Sequence, residues 1–248
     1  MKIIKTLFVV LLLLFSGLSA YSYYTYHYVE KELPGAVLQS LTSKVLDSAA
    51  TQKQEIYKQK LLDDYLHYYN QNNDYVGWLS FDSGIISEAV MFSGDNDKYL
   101  RKDFYLNKDG KGTVFMDMDC TLDSRNITMY GHYVYYDENA KFSPLHLLKD
   151  EGNYETNKII TFKLKDEIRT YEVFAVYYYD WMNDVSYHYQ TAEFQTEEGF
   201  LRHVRRAKDR SMYKTDVEIE GDDNLLTLQT CVRNRSDLRL IVVAKEID

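Results

Sequence analysis

Beyond residue 74 the chain alternates short apolar segments with Gly, Asp and Asn, the texture of strands and turns. The segments that read as strands are Val76–Phe81, Ala89–Phe92, Gly112–Asp117, Ile127–Tyr130, Lys158–Lys165, Glu167–Tyr179, Lys214–Glu218, Leu225–Cys231 and Leu240–Lys245. Many short strands with regular turn signals predict a mainly β fold, a barrel or a sandwich. One stretch breaks the pattern. Glu197–Ser211 carries Phe200, Val204 and Ala207 at helical spacing, which predicts one helix ahead of the last strands. Before residue 74 the period is also helical, with Val37, Leu41, Val45, Ile56, Leu61, Leu62 and Tyr65 recurring between Leu33 and Asn72. Pro34 sits near the start, where proline is tolerated. This predicts one or two amphipathic helices that lay one face on the β domain.

The first residues carry a separate signal. Lys2 and Lys5 precede the apolar run Leu7–Phe15, and tyrosines follow at 21, 23, 24, 26 and 28. Lysines before a span predict a cytoplasmic N-terminus, and tyrosines after it suit the far interface. The apolar run is short for a span of about 20 residues, and Gly17-Leu-Ser-Ala20 offers small residues at a cleavage site, so a signal peptide is the alternative. The tyrosine band favours an uncleaved anchor. The expected organisation is therefore a membrane anchor at 1–28, a helical stalk at 29–72 and a folded domain at 73–248. That arrangement predicts a single-pass protein of the cell membrane with its domain outside.

Composition narrows the function classes. With 24 tyrosines against 2 prolines and 11 glycines, the chain favours strands and argues against disorder. A formal net charge of -9 speaks against nucleic acid as a partner. Two cysteines, Cys120 and Cys231, provide no zinc-type spacing. The acidic Asp95, Asp97, Asp117 and Asp119 do not match a calcium loop, so no metal is expected.

The candidate chemistry lies near the C-terminus. Cys231 ends one predicted strand, and Arg239 opens the next beyond a short polar connection, Val232–Leu238. A cation near a thiol lowers its pKa from about 8.5, and a guanidinium can hold the oxyanion formed when the thiolate attacks a carbonyl. A buried packing cysteine beside a surface arginine fits the same local pattern. Cys120 is expected to be an unpaired packing residue. A nucleophilic cysteine needs a base that later serves as the acid. Of six histidines, His27 falls in the tyrosine band, His67 in the stalk helix, His188 in a tyrosine-rich loop and His146 shortly after Pro144. His203 is expected on a solvated face of the basic helix Arg202–Arg210. His132 follows Asn126-Ile-Thr-Met-Tyr-Gly, so it stands at the end of an apolar strand where glycine lets the backbone turn.

Read in order, Val76-Gly-Trp-Leu, Asp95-Asn-Asp-Lys-Tyr-Leu100, Asp103-Phe, Gly112-Thr-Val-Phe, Tyr130-Gly-His132, Ser211-Met-Tyr, Thr227-Leu-Gln-Thr-Cys231 and Arg239 resemble the class B sortases, membrane-anchored transpeptidases of Gram-positive bacteria. The resemblance runs from about Asn70 to Lys245. It implies a closed eight-stranded β-barrel with N-terminal helices, His132, Cys231 and Arg239 as catalytic residues, and no cofactor. Asn96 and Leu100 become candidate contacts to the sorting signal. The implied reaction cleaves a C-terminal sorting signal of exported proteins after Thr, through a Cys231 acyl-enzyme. The acyl group then passes to a peptidoglycan amino group. Gln229 stands where class B members often carry serine, and Val232-Arg233 follow the cysteine where some relatives are acidic. Two other readings are a cysteine peptidase that hydrolyses its acyl-enzyme and an inactive membrane-tethered binding module.

Overall fold

The computed structural model, which describes residues 16–25, 35–184 and 186–247, contains eight strands. They are β1 (Tyr75–Phe81), β2 (Ser87–Met91), β3 (Val114–Met116), β4 (Asn126–Tyr130), β5 (Ile159–Lys163), β6 (Ile168–Asp180), β7 (Leu225–Val232) and β8 (Arg235–Glu246). They close into a barrel in the order β1-β2-β3-β4-β7-β8-β6-β5. The β2–β3 and β4–β7 pairs are parallel and the other six are antiparallel. Closure leaves no strand edge unpaired at the ends of the sheet, which answers the choice between barrel and sandwich.

Period-two alternation decides which side chains fill the barrel. Leu79 and Phe81 from β1, Ile127 and Met129 from β4, Leu226 and Leu228 from β7, and Leu240, Val242 and Ala244 from β8 join one buried cluster inside. The opposite parity of β7 and β8 faces outward. There Leu225, Ile241 and Val243 are covered by a second cluster with Phe200, Val204 and Ala207. Those three residues form the apolar face of α3 (Glu197–Arg210), after α1 (Gly35–Tyr69) and the one-turn α2 (Tyr154–Asn157). Thr196 caps α3 by accepting the Gly199 N–H at 3.1 Å.

The chain divides into two units, Met1–Tyr57 and Lys58–Asp248. In the first, Val45 and Ile56 are exposed, so the expected apolar stripe does not bury them. In the second, Leu61 is buried, and Tyr65 and Tyr68 each lie 5.3 Å from the Tyr75 ring. Four further expectations are corrected. Lys214–Glu218 is not a strand; its chain is held by side chains instead, Lys208 Nζ donating to the Val217 carbonyl and Lys245 Nζ to that of Glu218. The Val232–Leu238 connection is a tight hairpin: Val232 pairs with Arg235 across Arg233-Asn234, and Asn234 takes a left-handed φ of 59° that asparagine tolerates. The single-pass membrane anchor is not supported, because among the described residues no helix is long and apolar enough to cross a membrane. The cell-membrane localisation drawn from it falls with it; Lys2, Lys5, the run Leu7–Phe15, His27 and Pro34 lie outside the described residues.

The fourth correction is His203. Far from solvated, it is 6 % exposed, packed between Tyr187 and Phe194, and its Nε2 has no hydrogen-bond partner among the described residues. Burial, reinforced by the Arg206 charge, pushes its pKa down from 6.5 to about 4. The unfolded chain therefore binds the His203 proton more readily, so this contribution is complete above pH 6.5 and is lost as pH falls toward 4. At the acid end the loss is about 3 kcal/mol, from 1.36 kcal/mol per pKa unit. His203→Phe, which keeps a ring on α3, should flatten the fall in stability between pH 6.5 and 4.5 in denaturant melts. Parallel curves for the two proteins would refute the assignment.

Candidate active site

β4, β7 and β8 lie side by side, and their outward parity builds the site. Cys231 and Arg239 are direct cross-strand partners on β7 and β8. Both lie opposite to the inward Leu228 and Leu240 in parity, so both project from the outer face, and both are half-buried. Arg239 is held by carbonyls: its Nη1 donates to Ser236 O at 2.9 Å and Leu238 O at 2.8 Å, and its guanidinium lies 6.0 Å from the Trp181 ring. Trp181 Nε1 donates to the same Ser236 carbonyl at 2.8 Å. Among the described residues Arg239 forms no ion pair, and the Asp237 carboxylate two residues before it pairs with Arg235 at 2.6 Å.

His132 enters from β4. Tyr130 pairs in parallel with Gln229, and the Gly131 N–H donates to the Gln229 carbonyl at 3.1 Å. His132 follows directly, in the segment where the chain leaves β4 beside the end of β7. The imidazole is anchored by its Nε2, which lies 2.7 Å from the Leu100 carbonyl. A carbonyl only accepts, so Nε2 carries the proton and Nδ1 is the basic atom of the neutral ring. Two glycines make room for this. A Cβ on Gly112, which has a left-handed φ of 61°, would meet the His132 Cδ2 at 3.1 Å and the Tyr99 carbonyl at 2.6 Å. A Cβ on Gly131 would meet the buried Phe142 ring at 2.4 Å.

The sequence-predicted contacts fare differently. Leu100 reaches the site through its carbonyl on His132. Asn96 is already engaged, its Oδ1 accepting from the Met118 N–H at 2.9 Å and its Nδ2 facing Asp117 at 3.5 Å. Asp117 in turn accepts from the Tyr130 hydroxyl. Asn96 therefore braces the turn behind β4.

Sequence reasoning missed the roles of three neighbours. Gln229 shares the face of Cys231, and its Oε1 accepts from the Tyr189 hydroxyl. The Tyr189 carbonyl accepts from Asn126 Nδ2 at 2.9 Å, fixing the Tyr187–Thr191 segment over β4 and β7. Burial pushes the Tyr189 pKa up, partly offset by the Arg239 charge. His146 Nε2 lies 3.0 Å from the Cys231 carbonyl. The sequence marks Gln229 as a departure from class B and Tyr189 only as part of a tyrosine-rich loop, and nothing in it pairs the two or points to His146. Cys120 behaves as expected of a packing thiol: it is free, 1 % exposed, and pushed up to about 11 by burial.

The family model for the sortase domain matches residues 86–247. The chain belongs to the sortase family. Its relatives place it in class B. Sortase B of Staphylococcus aureus is 29 % identical over 180 residues, covering 71 % of this chain and 71 % of that protein. The crystal structure of Clostridium perfringens sortase B superposes with a TM-score of 0.68 at 30 % identity, covering 73 % of this chain and 98 % of that one. A Staphylococcus aureus sortase B–substrate complex superposes with a TM-score of 0.70 at 25 % identity, covering 85 % and 99 %. The fold is therefore the eight-stranded sortase barrel, and the protein is a cysteine transpeptidase. Its family implies substrate proteins bearing sorting signals, and amine acceptors.

In this sortase the Gly131 contact is a direct test of how His132 is positioned. Gly131→Ala should cost about 1–3 kcal/mol in stability, as an overpacked core does, and should lower turnover further than stability alone explains. Thermal melts beside peptide-ligation rates measure both. An alanine variant equal to wild type in each would show that Phe142 yields freely.

Proposed function

We propose that Cys231 is the nucleophile, Arg239 the oxyanion partner and His132 the general acid and base of this transpeptidase. The reading is supported above all by the Cys231–Arg239 pairing across β7 and β8, on a half-buried outward face at the open end of β4. As thiolate, the Cys231 sulfur attacks the Thr carbonyl carbon of a C-terminal sorting signal. Arg239, already turned by the Ser236 and Leu238 carbonyls, faces the oxygen that becomes negative. His132 in its cationic form gives the Nδ1 proton to the departing amine, the C–N bond breaks, and a thioester remains. An amino group of a peptidoglycan cross-bridge then attacks the thioester. His132 takes its proton, and Cys231 leaves as thiolate. Leu100 has a part through its carbonyl, which fixes the ring so that Nδ1 is the nitrogen on offer. Asn96 is a weaker candidate for a sorting-signal contact, because its side chain braces Met118 and Asp117.

Incubation of the protein with sorting peptides and candidate amines, followed by mass spectrometry, tests this reading. Cys231→Ala should abolish both cleavage and ligation, and turnover in that variant would remove Cys231 from the mechanism. His132→Ala and Arg239→Ala should each lose about a hundredfold or more in kcat/KM. In the wild type, ligated product should displace hydrolysed product as amine is added; hydrolysis unchanged by amine would favour a peptidase.

A further inference from the structure

The carbonyl of Cys231 has lost the strand partner that its position in the barrel calls for. Successive carbonyls of a strand point to opposite neighbours. On β7 the Gln229 carbonyl points to β4, where it accepts the Gly131 N–H, so the Cys231 carbonyl points the same way. Continued pairing would offer it the N–H of Tyr133. β4 ends at Tyr130, however, and the chain turns away: Tyr133 bridges to Lys141, and the His132 carbonyl accepts from Phe142 N at 3.2 Å. On the other side the β7–β8 register shifts between Cys231 and Val232. The nucleophile thus sits at the last regular position of β7, where the ladder fails on both flanks.

His146 fills the gap. It belongs to the 3-10 helix Ser143–Lys149, which is pinned by buried Ser143, Pro144, Leu145 and Leu148. Its ring lies 4.7 Å from that of Tyr133, and its Nε2 is 3.0 Å from the Cys231 carbonyl. The acceptor is a carbonyl, so Nε2 is the protonated nitrogen and donates. A side chain from a rigid turn therefore supplies the hydrogen bond that β4 gave up to place His132.

We propose that His146 is a positioning residue for catalysis, holding the Cys231 backbone so that its sulfur stays aligned with His132 and Arg239. The proposal rests on Cys231 being the nucleophile. It assigns His146 no proton transfer and no contact with substrate. Its effect falls on kcat, because misplacement of a reacting atom by about 1 Å costs around a hundredfold.

Two variants separate the hydrogen bond from the packing. His146→Gln keeps an N–H donor at similar reach but loses the ring, whereas His146→Phe keeps a ring against Tyr133 but loses the donor. Steady-state ligation of a sorting peptide, with thermal melts, should show kcat within about threefold of wild type for His146→Gln. For His146→Phe kcat should fall about ten- to a hundredfold with KM nearly unchanged. The rate of Cys231 alkylation by iodoacetamide should change in parallel with kcat. Equal kcat in the two variants, or a larger loss in His146→Gln than in His146→Phe, would overturn the proposal. Cys231→Ala is the control for the reading beneath it: activity in that variant would fail the nucleophile assignment, whereas a dead Cys231→Ala beside a normal His146→Phe fails His146 alone.

Discussion

The antiparallel register of β7 on β8 is the constraint on which the site depends. It makes Cys231 and Arg239 direct partners, and it repeats inward as Leu228 on Val242 and Leu226 on Ala244. These inner pairs are wholly or almost wholly buried, so the hydrophobic core holds the register that the chemistry needs. A slip by one residue would turn Cys231 into the barrel and Leu228 out of it. Burial of each such aliphatic side chain contributes about 1.5–3 kcal/mol, so the alternative register is far out of reach. The Arg233-Asn234 turn pairs Val232 with Arg235 in a shifted register, and Ser236, Asp237 and Leu238 of β8 are accommodated before the Cys231–Arg239 pair restores the register of the core.

A second feature follows from barrel closure. β4 runs parallel to β7 only as far as Tyr130 and then leaves the sheet at Gly131. Leaving is what frees His132 to turn its ring toward the Leu100 carbonyl, and it also strips β7 of hydrogen bonds beside Cys231. The surrounding segments repair that loss. The 3-10 helix provides His146, and the Tyr187–Thr191 segment covers Gln229 through Tyr189. Asn96 and Asp117 hold Tyr130 from behind. The site is thus an interruption of the sheet, with the unpaired Cys231 carbonyl taken up by the His146 side chain.

Much of this was legible in the sequence, for a physical reason. Strand interiors announce themselves by local alternation, so eight of the nine expected strands form, and α3 forms where Phe200, Val204 and Ala207 recur. The ninth, Lys214–Glu218, alternates like a strand, but its carbonyls are satisfied by Lys208 and Lys245 from elsewhere. Cys231 and Arg239 could be read because both flank one hairpin. His132 needed only a strand end and a glycine. His146 and Tyr189 could not be read, because their roles arise from hydrogen bonds between segments 85 and 40 residues apart in the chain. His203 misled for the opposite reason: its neighbours Arg202, Arg205 and Arg206 suggest a wet face, while the helix turns it onto Tyr187 and Phe194.

The central claim is that the fold presents one reactive sulfur, Cys231, to a peptide carbonyl and keeps the other, Cys120, buried. Trapping the acyl-enzyme tests it most directly. The protein is mixed briefly with a sorting peptide without amine, quenched in acid, digested and read by mass spectrometry. The account predicts a thioester on the peptide containing Cys231, none on that containing Cys120, and its discharge when amine is added before the quench. An acyl group on Cys120, or on neither sulfur while the peptide is still cleaved, would contradict it.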